Sequence, residues 1–476
     1  MDTYRYEEIS ERIELDILEN RYPVGTRLPS VRILKNKYAC SISTILKAYD
    51  YLMAKGLVRS IPKSGFFACE KPAFNDGSFA LQTNPVLIRD AVFESHLALI
   101  TADRKHRHGI STFNVAAPND LLVPQKLLLR TMQQVIRSEG TNLLRYYPSN
   151  GADGLKTAIV KRAALYNTSF NAAELIITDG ALQALYIALA AVTTPGDLIA
   201  IESPCVFSIL EVSRTLKLKL IEIPVHFKHG FDVQFLHQVV ADRPVKAIVL
   251  TPNFHNPTGT LLSDVAKKAI LDIAIAKQIP IIENDIYGDL NFSGHRPGNI
   301  KQWDVHGLVM TYASYSKTLA PGIRLGWLSP GRFFKEAEQL KYALGSTVSP
   351  IYQESLIRLL ENSSYDRHIR KLRLQLAAQC DKTQHFIRNF FPEATTATAP
   401  QGGYSLWVKM PDMLNMQQFY EACTAAAIRF TPGYAFTFRS DFNRHFRLVF
   451  ADPYTQQREL ALKKIAELSA KLIRSI

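Results

Sequence analysis

A lysine set directly after an apolar run and ringed by small hydroxyl residues is an unusual place for a cation, and Lys317 is such a residue. Leu308-Val309-Met310-Thr311-Tyr312 predicts a buried strand; Ser314, Ser316 and Thr318 surround the lysine, and Arg324 follows seven residues on. Burial disfavours the charged ammonium, so the sequence predicts a lowered pKa and a usable amine nucleophile. The hydroxyls and Arg324 supply hydrogen-bond donors and positive charge, which a phosphate requires nearby. A cofactor with one carbonyl and one phosphate satisfies both halves. Pyridoxal phosphate is such a cofactor, held as a Schiff base on Lys317.

Other segments upstream and downstream carry matching chemistry. Thr178-Asp179-Gly180-Ala181-Leu182-Gln183 reads as a strand, a tight turn and a helix start, where the N–H groups of Gly180, Ala181 and Leu182 suit a phosphate. Glu283-Asn284-Asp285-Ile286-Tyr287 ends another strand. An aspartate there, set against a pyridine nitrogen, keeps the ring protonated and lets it act as an electron sink. Asn253-Phe254-His255-Asn256-Pro257-Thr258-Gly259 is a turn after a strand, and Phe446-Arg447-Leu448-Val449-Phe450 reads as a strand carrying an arginine.

The elements that must position these residues alternate. Strand-like segments at 174–178, 198–202, 219–224, 246–252, 280–283, 308–312 and 325–329 are separated by helical runs. That pattern predicts an α/β fold with a mostly parallel sheet, whose ligands sit beyond the strand ends. The first seventy residues differ. Ile9, Ile13 and Ile17 predict an amphipathic helix over Tyr6 to Glu19, and a short second helix opens at Leu28-Pro29-Ser30. Ser41 or Ser43 caps a third helix with Ile45, Ala48, Tyr49 and Leu52 on its buried face. Two short strands around Pro62-Lys63-Ser64 complete a winged helix-turn-helix outline. Between Arg21 and Phe67 there are nine basic residues, and Asp50 is the single acid, a balance that favours a phosphate-neutralising face. Residues 70–110 read as a linker containing one helix over 86–100.

Composition sets wider bounds. The chain has 476 residues, 47% hydrophobic and 21% charged, with a net charge of +13. No apolar run has the length of a membrane span, and the N-terminal stretch is polar, unlike a signal peptide. Five cysteines with no C-x-x-C spacing predict reduced thiols, a cytoplasmic protein and no zinc site.

The string running from Ser314 to Trp327, S-x-S-K-x-x-x-P-G-x-R-x-G-W, closely resembles the lysine segment of fold-type I aminotransferases. The resemblance covers roughly Ser111 to the end. It implies a large domain at about 145–335 and a small domain built from the flanking parts, with Gln401-Gly402-Gly403-Tyr404 and Pro432-Gly433 in the latter. It further implies that Lys317 is the catalytic Schiff-base residue and that Asn256 and Tyr287 bond the phenolate oxygen of pyridoxal phosphate. By the same resemblance Asp285 meets the pyridine nitrogen, while Gly180, Ala181, Leu182, Ser314, Ser316 and Arg324 hold the phosphate. Tyr146, in Tyr146-Tyr147-Pro148-Ser149-Asn150-Gly151, would cross a dimer interface to the partner's phosphate, and Arg447 would clamp a substrate carboxylate. Two positions depart from that family's pattern. Val206 replaces the aromatic that stacks on the pyridine ring, with Phe207 next door, and Ala116 replaces a glycine near the substrate carboxylate.

The first 69 residues resemble the GntR-type DNA-binding domain in P-V-G-T-R-L-P-S-V-R, S-x-S-T and the G-L-V-R…S-G-F-F wing. This resemblance implies groove and phosphate contacts by Arg32, Ser43, Thr44 and Lys47, with Lys63 on the wing. Ile42 stands where that family has arginine, the commonest reader of guanine edges. Head and body together resemble the MocR-type bacterial transcription regulators. The expectation is a head-to-tail homodimer that binds double-stranded DNA and senses an amino acid or pyridoxal phosphate itself. The alternative is a working aminotransferase with an appended DNA-binding head.

Overall fold

Isoleucines four residues apart put one apolar stripe on the first helix, α1 (Arg5–Leu18), and Ile9 and Ile13 are buried there. The structure is a computed structural model and describes residues 5–18, 21–23, 25–54, 57–61, 65–68, 88–90, 111–345, 347–437 and 442–474. The chain divides into two compact units, Met1–Asn84 and Pro85–Ile476.

In the first unit Ser30 Oγ accepts the Ile33 N–H and starts α2 (Val31–Tyr38). Ser41 Oγ accepts the Thr44 N–H at 3.1 Å and starts α3 (Ile42–Ala54). Ile45, Ala48, Tyr49 and Leu52 are fully buried, as their helical spacing predicts. Tyr49 ties the unit together: its hydroxyl donates to the Pro29 carbonyl, and its ring stacks on Phe66 at 4.0 Å. Strands β1 (Val58–Ile61) and β2 (Gly65–Ala68) pair antiparallel as the wing. Three helices and a hairpin make the expected winged helix-turn-helix.

The second unit is built on a nine-stranded sheet. In chain order the strands of this unit begin with β3 (Ile88–Asp90), β4 (Ser111–Thr112), β5 (Ile176–Thr178), β6 (Leu198–Ser203), β7 (Lys219–His226) and β8 (Gly230–Phe231). They continue with β9 (Val245–Leu250), β10 (Ile281–Asn284), β11 (Val309–Ser314) and β12 (Gly326–Ser329). The order is β3-β7-β6-β9-β10-β11-β12-β5, with β8 on β7. The central run from β7 to β11 is parallel, and every residue of β6, β10 and β11 is buried. Strands covered on both faces read as unbroken apolar runs, which is why those runs located them.

One expectation is corrected. Within the stretch read as a linker helix, Ile88–Asp90 is a strand, paired antiparallel with Lys219–Ile221 at the edge of the large sheet. An edge strand gains its backbone partners from the sheet, and that gain overrides local helical spacing. The rest of 86–100, the basic run 104–108 and the wing tip with Lys63 lie outside the described residues.

A second sheet, β13 (Thr396–Ala397), β14 (Ser405–Lys409), β17 (His445–Val449) and β16 (Thr431–Pro432), forms the smaller part of the body. β15 (Ile428–Arg429) pairs parallel with β4, and Val449 donates its N–H to the Phe113 carbonyl at 2.9 Å. These bonds bring residues 111–116 beside the strand that carries Arg447. No helix of the described residues is long and apolar enough to cross a membrane.

Where β12 crosses the turn after β5, two glycines meet. A Cβ on Gly326 would stand 2.6 Å from the Gly180 carbonyl carbon and 2.9 Å from the Ala313 oxygen. Gly326→Ala is therefore expected to destabilise the body by about 1–3 kcal/mol through overpacking. Thermal unfolding followed by circular dichroism reads the change, and an unchanged midpoint would show the crossing to be slack.

Candidate functional site

Lys317 follows the end of β11, where the backbone leaves the parallel sheet. Its carbonyl accepts the Tyr404 hydroxyl at 2.5 Å, and the next carbonyl, of Thr318, pairs with His368 Nε2 at 2.8 Å. Ser314 Oγ pins the turn, donating to the Leu325 carbonyl and hydrogen-bonded to Ser316 Oγ, both at 3.0 Å. Desolvation first, then Arg447 and Arg324, push the Lys317 ammonium down to about 8. Two cations beside a lysine disfavour its ammonium and enlarge the share of neutral amine, the form a nucleophile requires.

An anion end lies on one side. Helix Gly180–Val192 begins without a side-chain cap, and Gln183 Oε1 takes the Asp179 N–H at 2.8 Å. Its first-turn N–H groups are left for an outside acceptor, including those of Ala181 and Leu182. Gly180 has φ +77°, and a Cβ there would sit 3.2 Å from the Arg324 guanidinium. Arg324 is itself left-handed at φ 49° and donates from Nη2 to the Asp179 carbonyl at 3.0 Å. Glycine, serine hydroxyls, arginine and a helix N-terminus form a cradle whose donors suit a phosphate.

A second hydrogen-bond chain lies on the other side. Asn256 Nδ2 donates to the Tyr287 hydroxyl at 3.2 Å, and Asn256 Oδ1 accepts Arg447 Nη1 at 2.9 Å. Arg447 is 2% exposed; its Nη2 also donates to the Asn114 carbonyl and to Thr431 Oγ1. Burial lowers the Arg447 guanidinium to about 10 and raises the Tyr287 phenol. Asp285, at the end of β10, is buried and bonded by Arg296, Asn299 and Asn253.

The structure thus brings Gly180, Ala181, Ser314, Ser316, Lys317 and Arg324 together, and Asn256, Tyr287 and Arg447 into one bonded chain. Leu182 is 48% exposed on the first turn of its helix. Tyr146 stands apart at 97% exposure. The Phe207 ring packs on Phe436 at 5.3 Å and lies 5.6 Å from the Arg447 guanidinium. Val206 instead packs with the apolar cluster of Ile209 and Leu210. Sequence reasoning missed Arg296 and the buried pair of His255 and Glu202, 3.3 Å apart. Arg296 sits in a glycine- and proline-punctuated loop with no periodicity, so the sequence carried no signal for its direction.

In the head, Arg32, Ser43 and Lys47 are exposed and Thr44 is half-buried. Ser41 Oγ bonds the hydroxyls of Ser43 and Thr44 at 2.7 and 2.8 Å, and Lys47 Nζ lies 5.9 Å from the Tyr6 ring centroid. Ile42 and Leu46 are 48% and 41% exposed one helical turn apart, an apolar strip on the open face of α3.

This combination defines a class: a winged-helix head joined to a lysine-centred α/β body. Residues 117–465 match the family described as aminotransferase class I and II, and residues 5–68 match bacterial regulatory proteins, gntR family. The chain is 30% identical to the uncharacterized HTH-type transcriptional regulator YjiR of Escherichia coli strain K12, over 97% of this chain and 98% of that one. It is 26% identical to the HTH-type transcriptional regulator NorG of Staphylococcus aureus, over 92% and 98%. Among solved structures, the kynurenine aminotransferase of Pyrococcus horikoshii superposes with a TM-score of 0.74 at 24% identity, covering 80% of this chain and 95% of that one. The chain belongs to the aminotransferase class I and II family and carries a gntR-family regulatory head, the domain arrangement of the MocR type.

The lowered Lys317 pKa has a direct readout. Competitive labelling with a small amine-selective acylating reagent should modify Lys317 preferentially below pH 9, with its reactivity rising through about pH 8. Titration of that reactivity near the ordinary lysine value would contradict the electrostatics described.

Proposed function

We propose that this chain is a DNA-binding transcription regulator whose body binds pyridoxal phosphate on Lys317 and reads the cofactor, or an amino acid, through the Asn256–Arg447 chain. The observation that carries this reading is the bonded series Tyr287–Asn256–Arg447 beside Lys317, in a chain that also bears a gntR-type head. Bound pyridoxal phosphate would supply a carbonyl for the lysine amine and an electron-withdrawing ring. Arg324, Ser314, Ser316 and the N–H groups of Gly180, Ala181 and Leu182 would hold its phosphate, and Asp285 its ring nitrogen. Arg447 presents a guanidinium to an incoming carboxylate, and Asn256 couples that contact to Tyr287.

An effector shifts such a protein only as far as it binds two states differently. The full exposure of Tyr146 supports a homodimer in which this ring finds its contacts on a second copy. In the head, Arg32, Ser43, Thr44 and Lys47, with Lys63 on the wing, are the proposed groove and phosphate contacts.

The complete set of Lys317, Asp285, Tyr287 and Arg447 favours a second reading, a working aminotransferase. A steady-state assay with amino donor and keto acceptor separates the two.

The regulator reading is tested by fluorescence anisotropy on the duplex upstream of the chain's own gene, at a stated salt concentration because phosphate contacts make affinity salt-dependent. Cofactor-loaded wild type should form a specific complex whose affinity differs from that of Lys317→Ala by about fivefold or more, the scale of ordinary allosteric coupling. Identical and purely non-specific binding by both would overturn it.

A further inference from the structure

Side chains that read a base in the major groove mostly do so through polar groups. Arginine or lysine takes guanine, asparagine or glutamine takes adenine, and an acid takes the cytosine amino group. Helix α3 carries no arginine, asparagine, glutamine or glutamate, and its charged residues are Lys47 and Asp50. Its open face presents an aliphatic pair instead. Ile42 and Leu46 are both exposed, and residues four apart lie one above the other on the same helix face. The rotation of the helix is fixed, because Ile45, Ala48, Tyr49 and Leu52 are fully buried. Tyr49 adds a bond from its hydroxyl to the Pro29 carbonyl and a stacked contact with Phe66. The pair therefore cannot turn inward.

The polar neighbours of the pair are already engaged. Ser41 Oγ accepts the Thr44 N–H at 3.1 Å and is bonded to Ser43 Oγ and Thr44 Oγ1 at 2.7 and 2.8 Å. Lys47 Nζ lies 5.9 Å from the Tyr6 ring centroid. Around the strip the charge is one-sided. Nine basic residues face a single acid between Arg21 and Phe67, and Arg32, Lys35 and Lys37 are exposed on α2. Such a surface complements a polyanion, and the gntR-family match over residues 5–68 makes that polyanion DNA.

An aliphatic strip set in a DNA-facing surface has one apolar group to meet among the base edges, the C5-methyl of thymine. Packing that methyl on Ile42 or Leu46 removes apolar surface of both partners from water. Guanine O6 and N7 set against the same side chains would lose their water and gain no donor.

We propose that Ile42 and Leu46 are specificity residues that select thymine through its methyl group, while the surrounding basic residues hold phosphates without reading sequence. This rests on the DNA-binding reading of the head and names the base that it selects.

The test selects duplexes from a random pool with the full-length chain, at a stated salt concentration. Each thymine of the selected site is then replaced singly by deoxyuridine, which removes the methyl group and leaves every hydrogen-bonding atom in place. Fluorescence anisotropy should show an affinity loss of about fourfold at each contacted thymine, the worth of one buried methyl-sized group. At one such position the loss should disappear in Ile42→Ala and at another in Leu46→Ala. Ile42→Arg should move selection at the first position towards guanine. The uracil series on wild type decides the matter even if a variant does not fold. Uracil tolerated at every position of the selected site overturns the proposal. Losses that persist unchanged in both alanine variants also overturn it and assign the strip to a contact other than DNA. A pool from which wild type selects nothing overturns the DNA-binding reading itself, and this inference with it.

Discussion

Placing a lysine between two arginines in a half-buried turn forces everything near it to manage positive charge. Lys317 feels desolvation together with Arg447 and Arg324, and these lower its pKa. The turn holds because neighbouring groups fix its backbone. Tyr404 bonds the Lys317 carbonyl, His368 the Thr318 carbonyl, and Ser314 the carbonyl of Leu325. The same two arginines mark the ends of the site. Arg324 closes the helix-terminus cradle and Arg447 lies buried against Asn256, so one electrostatic arrangement lowers the lysine pKa and sets positive charge at both ends.

Behind this lies a larger ionic core. Asp289 takes Arg162, Arg296 and the Tyr365 hydroxyl, and is held well below the usual carboxylate range despite its burial. A carboxylate with a depressed folded pKa contributes stability that is present at neutral pH and is lost as pH falls through the folded value. Breaking a buried pair of this kind by removing one partner leaves an uncompensated charge, at a typical cost of about 3–5 kcal/mol. The network therefore joins stability to the position of Asp285 through a single side chain, Arg296.

Much of this was legible in the sequence because its signals are local. Buried parallel strands show as apolar runs, and β6, β9, β10 and β11 fell within a residue or two of the predicted segments. Ser41 before α3 is a capping residue by type, and it caps. Glycines at positive φ and serines beside a lysine read as a cradle for the same reason. What stayed hidden depends on distant partners. Ile88–Asp90 is a strand only because an edge of β7 is there to receive it. Phe207 turns towards Arg447 and Phe436 because the small sheet offers an aromatic cluster there. Arg296 crosses its loop to Asp285 because Gly288 leaves the space.

The proposal that Lys317 holds a carbonyl cofactor is tested most directly by chemical trapping. Purified chain is mixed with one equivalent of pyridoxal phosphate, reduced with borohydride and digested, and the labelled peptide is identified by mass spectrometry. The account predicts a stoichiometric label confined to the peptide bearing Lys317, with none on the other lysines. A label spread over surface lysines, or none at all, would contradict it.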